Sequence, residues 1–167
     1  MSTRKIVSFV VALAFATAAA TPALAVTVTR ADGQAMNPNG EPFSATGATN
    51  LNKGGVAAAC VSTFNGTITS SGIVTVTSAQ FSGGGLCGLI TSSATGTNPW
   101  TGQADDTTHL TINNAQVNAS ILGTCGPSKV TTTWNDTASS LAFNNAALTP
   151  NCTINGTLTT SPAFKVQ

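Results

Sequence analysis

Along most of this chain apolar and polar residues alternate with a period of two, which places successive side chains on opposite faces of an extended backbone. No segment after Ala25 keeps an apolar stripe at helical spacing. The alternation predicts strands at VTVTR (26 to 30), AACVSTFNGTITS (58 to 70), IVTVTSAQF (73 to 81), THLTIN (108 to 113), AQVNASIL (115 to 122), KVTTTW (129 to 134), SSLAFN (139 to 144), CTINGTLTT (152 to 160) and AFKVQ (163 to 167). Gly, Asn, Pro and Ser clusters such as MNPNGEP, SGGG, GTNPW and LTPN separate them. Many short strands at near-regular spacing predict an all-β fold, read here as one antiparallel β-sandwich of Ig-like or jelly-roll-like type.

Two strands echo each other. TFNGTITSS (63 to 71) returns as TINGTLTTS (153 to 161), with six of nine positions identical. A two-residue hairpin turn at Asn65-Gly66 would mix apolar and polar residues on each face. A strand running straight through instead groups Cys60, Phe64, Gly66 and Ile68 on one side and Thr63, Asn65, Thr67 and Thr69 on the other. The second copy groups Cys152, Ile154, Gly156 and Leu158 against Thr153, Asn155, Thr157 and Thr159. The through-strand is therefore expected, with Gly66 and Gly156 marking bulges or places where a bulky neighbour packs over the missing side chain. The phase also slips between Leu110/Ile112 and Ala115/Val117, which predicts a turn or bulge at Asn113-Asn114. Trp134, on the same face as Val130 and Thr132, is expected in the core. Trp100, in the loop-like NPW, could go either way and is the candidate surface contact.

The segment up to Ala25 breaks this pattern. Arg4 and Lys5 precede the apolar run IVSFVVALAF, and Ala23-Leu24-Ala25 has the small residues of an export cleavage site, so cleavage is expected between Ala25 and Val26. That run falls short of the roughly 20 apolar residues needed to span a bilayer, and no transmembrane segment is expected in the mature chain. The stretch from Val26 to Gln167 is long enough for one sandwich domain, within which residues 26–52 are expected to form a loosely attached N-terminal strand or arm.

Composition narrows the classes. Threonine outnumbers every other polar residue from Val26 onward, which favours pleated backbone. Arg30, Lys53, Lys129 and Lys165 face Asp32, Glu41, Asp105, Asp106 and Asp136, a formal balance of −1. There is no basic patch for nucleic acid. A surface with so few charges repels little, so the expected partners are the protein itself, through strand edges, or hydrophobic interfaces. Four cysteines in an exported chain read as two disulfides. Three connectivities are open to Cys60, Cys87, Cys125 and Cys152; the equal spacing of 27 within Cys60/Cys87 and Cys125/Cys152 favours two local loops. Closing each would stabilise the fold by roughly 3.5 kcal/mol.

Chemistry-bearing motifs are sparse. Gly83, Gly85 and Gly88 spell G-x-G-x-x-G, but no helix pattern follows, so a glycine-rich turn into Cys87 is the better reading. Asp105 and Asp106 are adjacent, and adjacent residues on extended chain point apart. Calcium held by Asp105, Asp106 and Gln103 matches no established loop spacing. His109 lies three residues from Asp106 among many serines, the inventory of a hydrolase, without a G-x-S-x-G elbow. Sequons begin at Asn65, Asn118, Asn135, Asn151 and Asn155 and bear weight only where the source organism glycosylates asparagine. No cofactor, metal site or catalytic residue is expected.

The order of features is more informative. FSATGATNLNKG, a cysteine before T-F-x-G, VTSAQFSGGGLCGLI, NPW, GTCGPSKVTTTW and NCTINGTLTTSPAF follow an export signal. Over residues 43 to 164 this resembles the alkane-oxidation protein activators, the PraB-like family of small exported bacterial proteins. The resemblance implies a non-catalytic accessory, secreted or on the outer cell surface, that helps cells use or contact hydrocarbon. It transfers no site residues. The alternative is a pilin-like subunit of an extracellular fibre or biofilm matrix, with VTVTR donated to the next copy. Intact-mass measurement of exported protein is expected to place its N-terminus at Val26; a mass retaining residues 1–25 would contradict the export reading.

Overall fold

The computed structural model describes residues 26–167, so the expected export signal up to Ala25 lies outside the described residues. Eleven strands follow in chain order: β1 (Val28–Arg30), β2 (Glu41–Lys53), β3 (Val56–Ile68), β4 (Ile73–Ser82), β5 (Thr91–Ser92), β6 (Trp100–Ala104), β7 (His109–Asn118), β8 (Thr124–Asn135), β9 (Ser140–Leu148), β10 (Cys152–Ser161) and β11 (Phe164–Val166). Short 3-10 turns at Cys87–Leu89 and Ser120–Leu122 interrupt them, and the described residues contain no α-helix.

The strands close on themselves. Hydrogen-bonded neighbours run β7-β6-β4-β3-β2-β10-β9-β8, and β8 pairs again with β7, all antiparallel. The expected sandwich is thus corrected to an eight-stranded barrel, with β5 hydrogen-bonded to the outer half of β7. Both architectures need the same inward/outward alternation, so period two could not distinguish them. What decides is the β7/β8 ladder. β8 starts at Thr124, ahead of the expected KVTTTW, and gains the length to pair with β7 from His109↔Thr133 to Asn118↔Thr124.

Bulges bend the wall into a ring. The asparagine pair 113–114 adds a residue to β7, and Asn114 adopts a positive φ of 60°; the two segments predicted on either side of it are one strand. The Asn-Gly echo has the same structural meaning twice. Asn65 and Gly66 pair with Ser78 and Val76, leaving Thr77 of β4 bulged opposite them. Asn155 faces the bulged Asn144-Asn145 of β9, where it accepts the Asn145 N–H at 2.8 Å and donates to Asn145 Oδ1 at 2.9 Å. Both strands run straight through the dipeptide, as the face analysis required. The neighbour filling the space at each glycine is backbone: a Cβ on Gly66 would collide with the Thr75 carbonyl oxygen, and one on Gly156 with that of Ala48.

β2 corrects the expectation of a loose arm. Its residues Glu41, Ala45 and Leu51 are buried, and it is bonded to β3 on one side and β10 on the other. β1 is also fixed: it pairs with β11, Val28 is fully buried, and the Val28 N–H donates to the Ser70 carbonyl at 2.8 Å. This β1/β11 ribbon lies at one end of the barrel, where Phe164 lines the interior with Phe43, Trp134 and Leu141. The opposite end carries both disulfides.

Inside, Phe64 is the centre of an edge-to-face aromatic cluster with Trp100 (centroids 5.6 Å apart), Phe143 (6.3 Å) and Phe81 (6.5 Å). Such pairs add about 0.5–1.5 kcal/mol each beyond area burial. Buried Ser62 is satisfied by Thr49 at 2.6 Å, and buried Thr132 donates to the Leu110 carbonyl at 2.9 Å. Gly66→Ala is expected to destabilise the barrel by about 2–4 kcal/mol in denaturant unfolding, and Gly96→Ala, facing open space, by under about 0.5 kcal/mol. Equal effects would contradict the close strand approach.

Candidate functional site

Three places could carry function: the barrel interior, the Asp105/His109 loop and the disulfide end. The interior is filled. Two apolar voids remain, one beneath Phe64 and Trp100 and one beneath Phe164, each of about 30 Å³. An engineered apolar cavity of about 150 Å³ holds a benzene, several times the space in either void. Neither void has room for an alkyl chain. Trp100, the candidate surface contact, is corrected to the core. It is only 3% exposed on β6, packed edge-to-face against Phe64, and its indole N–H donates to Ser93 Oγ at 3.0 Å. NPW reads as a loop because it precedes a short strand, WTGQA, with a glycine at its centre. Trp134 is buried as expected, its indole N–H bonded to Asp136 at 2.6 Å.

The β6/β7 loop brings Asp105, Asp106 and His109 close together. Asp105 accepts from the Thr111 hydroxyl at 2.6 Å. Asp106 turns the other way and caps the loop, accepting the Thr108 N–H at 2.6 Å, the Thr108 hydroxyl at 2.8 Å and the His109 N–H at 2.8 Å. These bonds, first those from Thr108 and then that from the His109 ring, hold the Asp106 carboxyl well below the usual carboxylate range. Asp106 and Thr108 Oγ1 both meet the imidazole at Nδ1, at 2.8 Å and 3.0 Å. A serine-type nucleophile needs its hydroxyl on the ring nitrogen opposite the carboxylate. Here hydroxyl and carboxylate share one nitrogen, the geometry of a capped turn.

A second ionic cluster fixes the ribbon. Arg30 binds Asp32 at 2.6 Å and the buried Glu41 at 2.5 Å, and Glu41 also accepts the Asn37 N–H at 2.9 Å. The Asp32 hydrogen bond raises Arg30 further above its already high range, and the same bond lowers Asp32. Its role is positional: it ties β1 to the start of β2. Among the described residues no group of three or more His, Cys, Asp or Glu side chains could hold a metal ion. Gly83, Gly85 and Gly88 lie in the β4/β5 connection, where the 3-10 turn Cys87–Leu89 is too short for a phosphate-binding helix.

The disulfide end is held by covalent bridges. Cys60–Cys87 ties β3 to the 3-10 turn at Cys87–Leu89, and Cys125–Cys152 ties the start of β8 to the start of β10. Of the three connectivities open from the sequence, the two local loops are the ones formed. Lys53, at the end of β2, donates to the Thr124 carbonyl at 2.7 Å and fastens the β2/β3 turn to the β7/β8 connection. Sequence reasoning does not single out this end; the signal available is the clustering of the glycine-rich and cysteine-bearing segments.

The whole chain, residues 1–167, matches the family model described as alkane oxidation protein activator, PraA/PraB-like. No curated protein and no solved structure matches significantly.

The Asp106 cap has a pH signature. Its folded pKa is depressed, so its stabilisation is present above the unfolded carboxylate range, about 3.9, and is lost as pH falls through that range toward the lower folded value. The Tm gap between wild type and Asp106→Ala is therefore expected at pH 7 and should shrink toward pH 2. A gap unchanged between the two pH values would contradict the cap.

Proposed function

The chain belongs to the PraA/PraB-like alkane oxidation protein activator family, and we propose that it is an exported, non-catalytic accessory that promotes hydrocarbon contact or utilisation at the bacterial cell surface. The observation that carries this reading is the family match over residues 1–167. Three structural features support it. Two disulfides suit an oxidising compartment outside the cytoplasm. A filled interior suits a protein that works through its outer surface. The only histidine sits in a turn cap.

The fibre alternative draws less support. Donating β1 to a neighbouring copy would first have to break its ladder with β11 and strip buried Val28 from the barrel end. The closed ring also leaves little free strand edge for pairing.

Deleting the gene is expected to slow growth on hexadecane while leaving growth on a soluble carbon source unchanged. Complementation with His109→Ala should restore growth as fully as wild type. A deletion strain that grows normally on hexadecane would reject the role, and a His109→Ala protein that fails while remaining folded and exported would reject the non-catalytic reading.

A further inference from the structure

The barrel is polar along its axis. All five carboxylates, Asp32, Glu41, Asp105, Asp106 and Asp136, lie in the segments around the ribbon end: on β1 and its turn, at the start of β2, in the β6/β7 loop and in the β8/β9 turn. Arg30, His109 and Lys165 lie there too. The loops of the disulfide end hold no carboxylate, and their one cation, Lys53, is turned onto the Thr124 carbonyl. Lys129 lies farther along the wall on β8.

Exposed aliphatic residues show the opposite distribution. Val56 (42% exposed) is at the β2/β3 turn, Leu89 (49%) in the 3-10 turn after β4 and Ile121 (78%) in the 3-10 turn between β7 and β8. Strand register puts these three connections at the same end, because Lys53 pairs with both Val56 and Cys152, and Asn118 with both Thr91 and Thr124. Val61 lies within β3 on the wall, and among the described residues only Ile73 of the exposed large aliphatics, at the start of β4, sits at the charged end.

We propose that the disulfide end is the surface that docks on liquid hydrocarbon, with Val56, Leu89 and Ile121 entering the apolar phase and the carboxylate-bearing end held in water. This rests on the reading that the protein acts in contact with hydrocarbon, and it names the surface that does so. Moving a charge toward a low-dielectric phase is strongly unfavourable, so the charge segregation fixes the orientation. The backbone is prepared for the same move. At this end Leu89 and Ile90 donate to Leu86 and Cys87, Leu122 and Gly123 to Ala119 and Ser120, Ser120 to the Asn118 side chain, and Gly55 to that of Asn52. N–H groups satisfied internally are not stranded when water leaves. The disulfides hold the rim, with Cys87 in the same 3-10 turn as Leu89 and Cys125 just beyond the turn that carries Ile121, so docking orders little additional chain.

Pendant-drop tensiometry of purified, oxidised mature protein at a hexadecane–water interface tests the assignment. Wild type should lower the tension, and the Val56→Ser/Leu89→Ser/Ile121→Ser variant should need a protein concentration higher by about tenfold or more for the same effect. Ile73→Ser should match wild type. Ile121→Ser alone, at a side chain in solvent, should shift the same way with an unchanged Tm, which separates docking from folding. Coincident curves for wild type and the triple variant would overturn the proposal. So would an effect of Ile73→Ser equal to that of the triple variant, or binding confined to anionic phospholipid vesicles and lost with Lys53→Gln. If wild type fails at the interface while the triple variant restores growth of the deletion strain on hexadecane, the docking surface falls and the accessory role stands. Normal adsorption with no growth defect in the deletion strain removes the role alone.

Discussion

The ladder between β7 and β8 determines what the rest of the molecule can be. Without it the eight strands would form an open sheet whose terminal strands expose unpaired N–H and C=O groups. With it, every strand of the ring has a partner on both sides, and the inward side chains enclose one core around Phe64. Closure also divides the surface into a wall and two ends. The wall is hydroxyl-rich, with cross-strand pairs such as Thr46/Thr63 at 3.1 Å and Thr111/Thr131 at 3.2 Å. Distinct chemistry is left to the ends.

Those ends are built by different means. At one, ionic and hydrogen-bonded contacts do the fastening: Arg30 reaches from β1 to Glu41, and Asp136 accepts from both the Trp134 indole and the Val166 N–H. At the other, two covalent bridges and the Lys53 bond take over, in segments so rich in glycine and small residues that side-chain packing alone would hold them poorly. Bridges that tie β3, β8 and β10 act mainly by restricting the unfolded chain, worth roughly 3.5 kcal/mol for each loop. For a domain whose net stability is on the order of 5–15 kcal/mol, that is a substantial share.

Much of this is legible in the residues. Inward sorting of Cys60, Phe64 and Leu158, the slip at Asn113-Asn114 and the core position of Trp134 all follow from alternation, and each is found. β2 escapes the pattern because its inward positions include Ala45, Gly47 and Thr49, and Pro42 interrupts its start; small residues fit where β10 approaches closely at Gly47. Trp100 misleads because its neighbours Asn98 and Pro99 signal a turn, whereas a tryptophan beside a turn can still point inward. Barrel closure is illegible for a deeper reason. Alternation records which side of a strand is dry, not which strand lies beside which. The axial separation of carboxylates from exposed aliphatics is likewise hidden, since it depends on strand register and not on spacing along the chain.

Closure itself is open to direct measurement by backbone hydrogen exchange. Leu110 pairs with Thr132 and Ile112 with Val130 across the β7/β8 seam. In a closed barrel the seam amides of these residues should exchange as slowly as the interior amides of the β2/β3 ladder, through the same global opening. Fast exchange throughout the seam, with β2 and β3 still protected, would mean that the ring is open and the molecule is a sandwich after all.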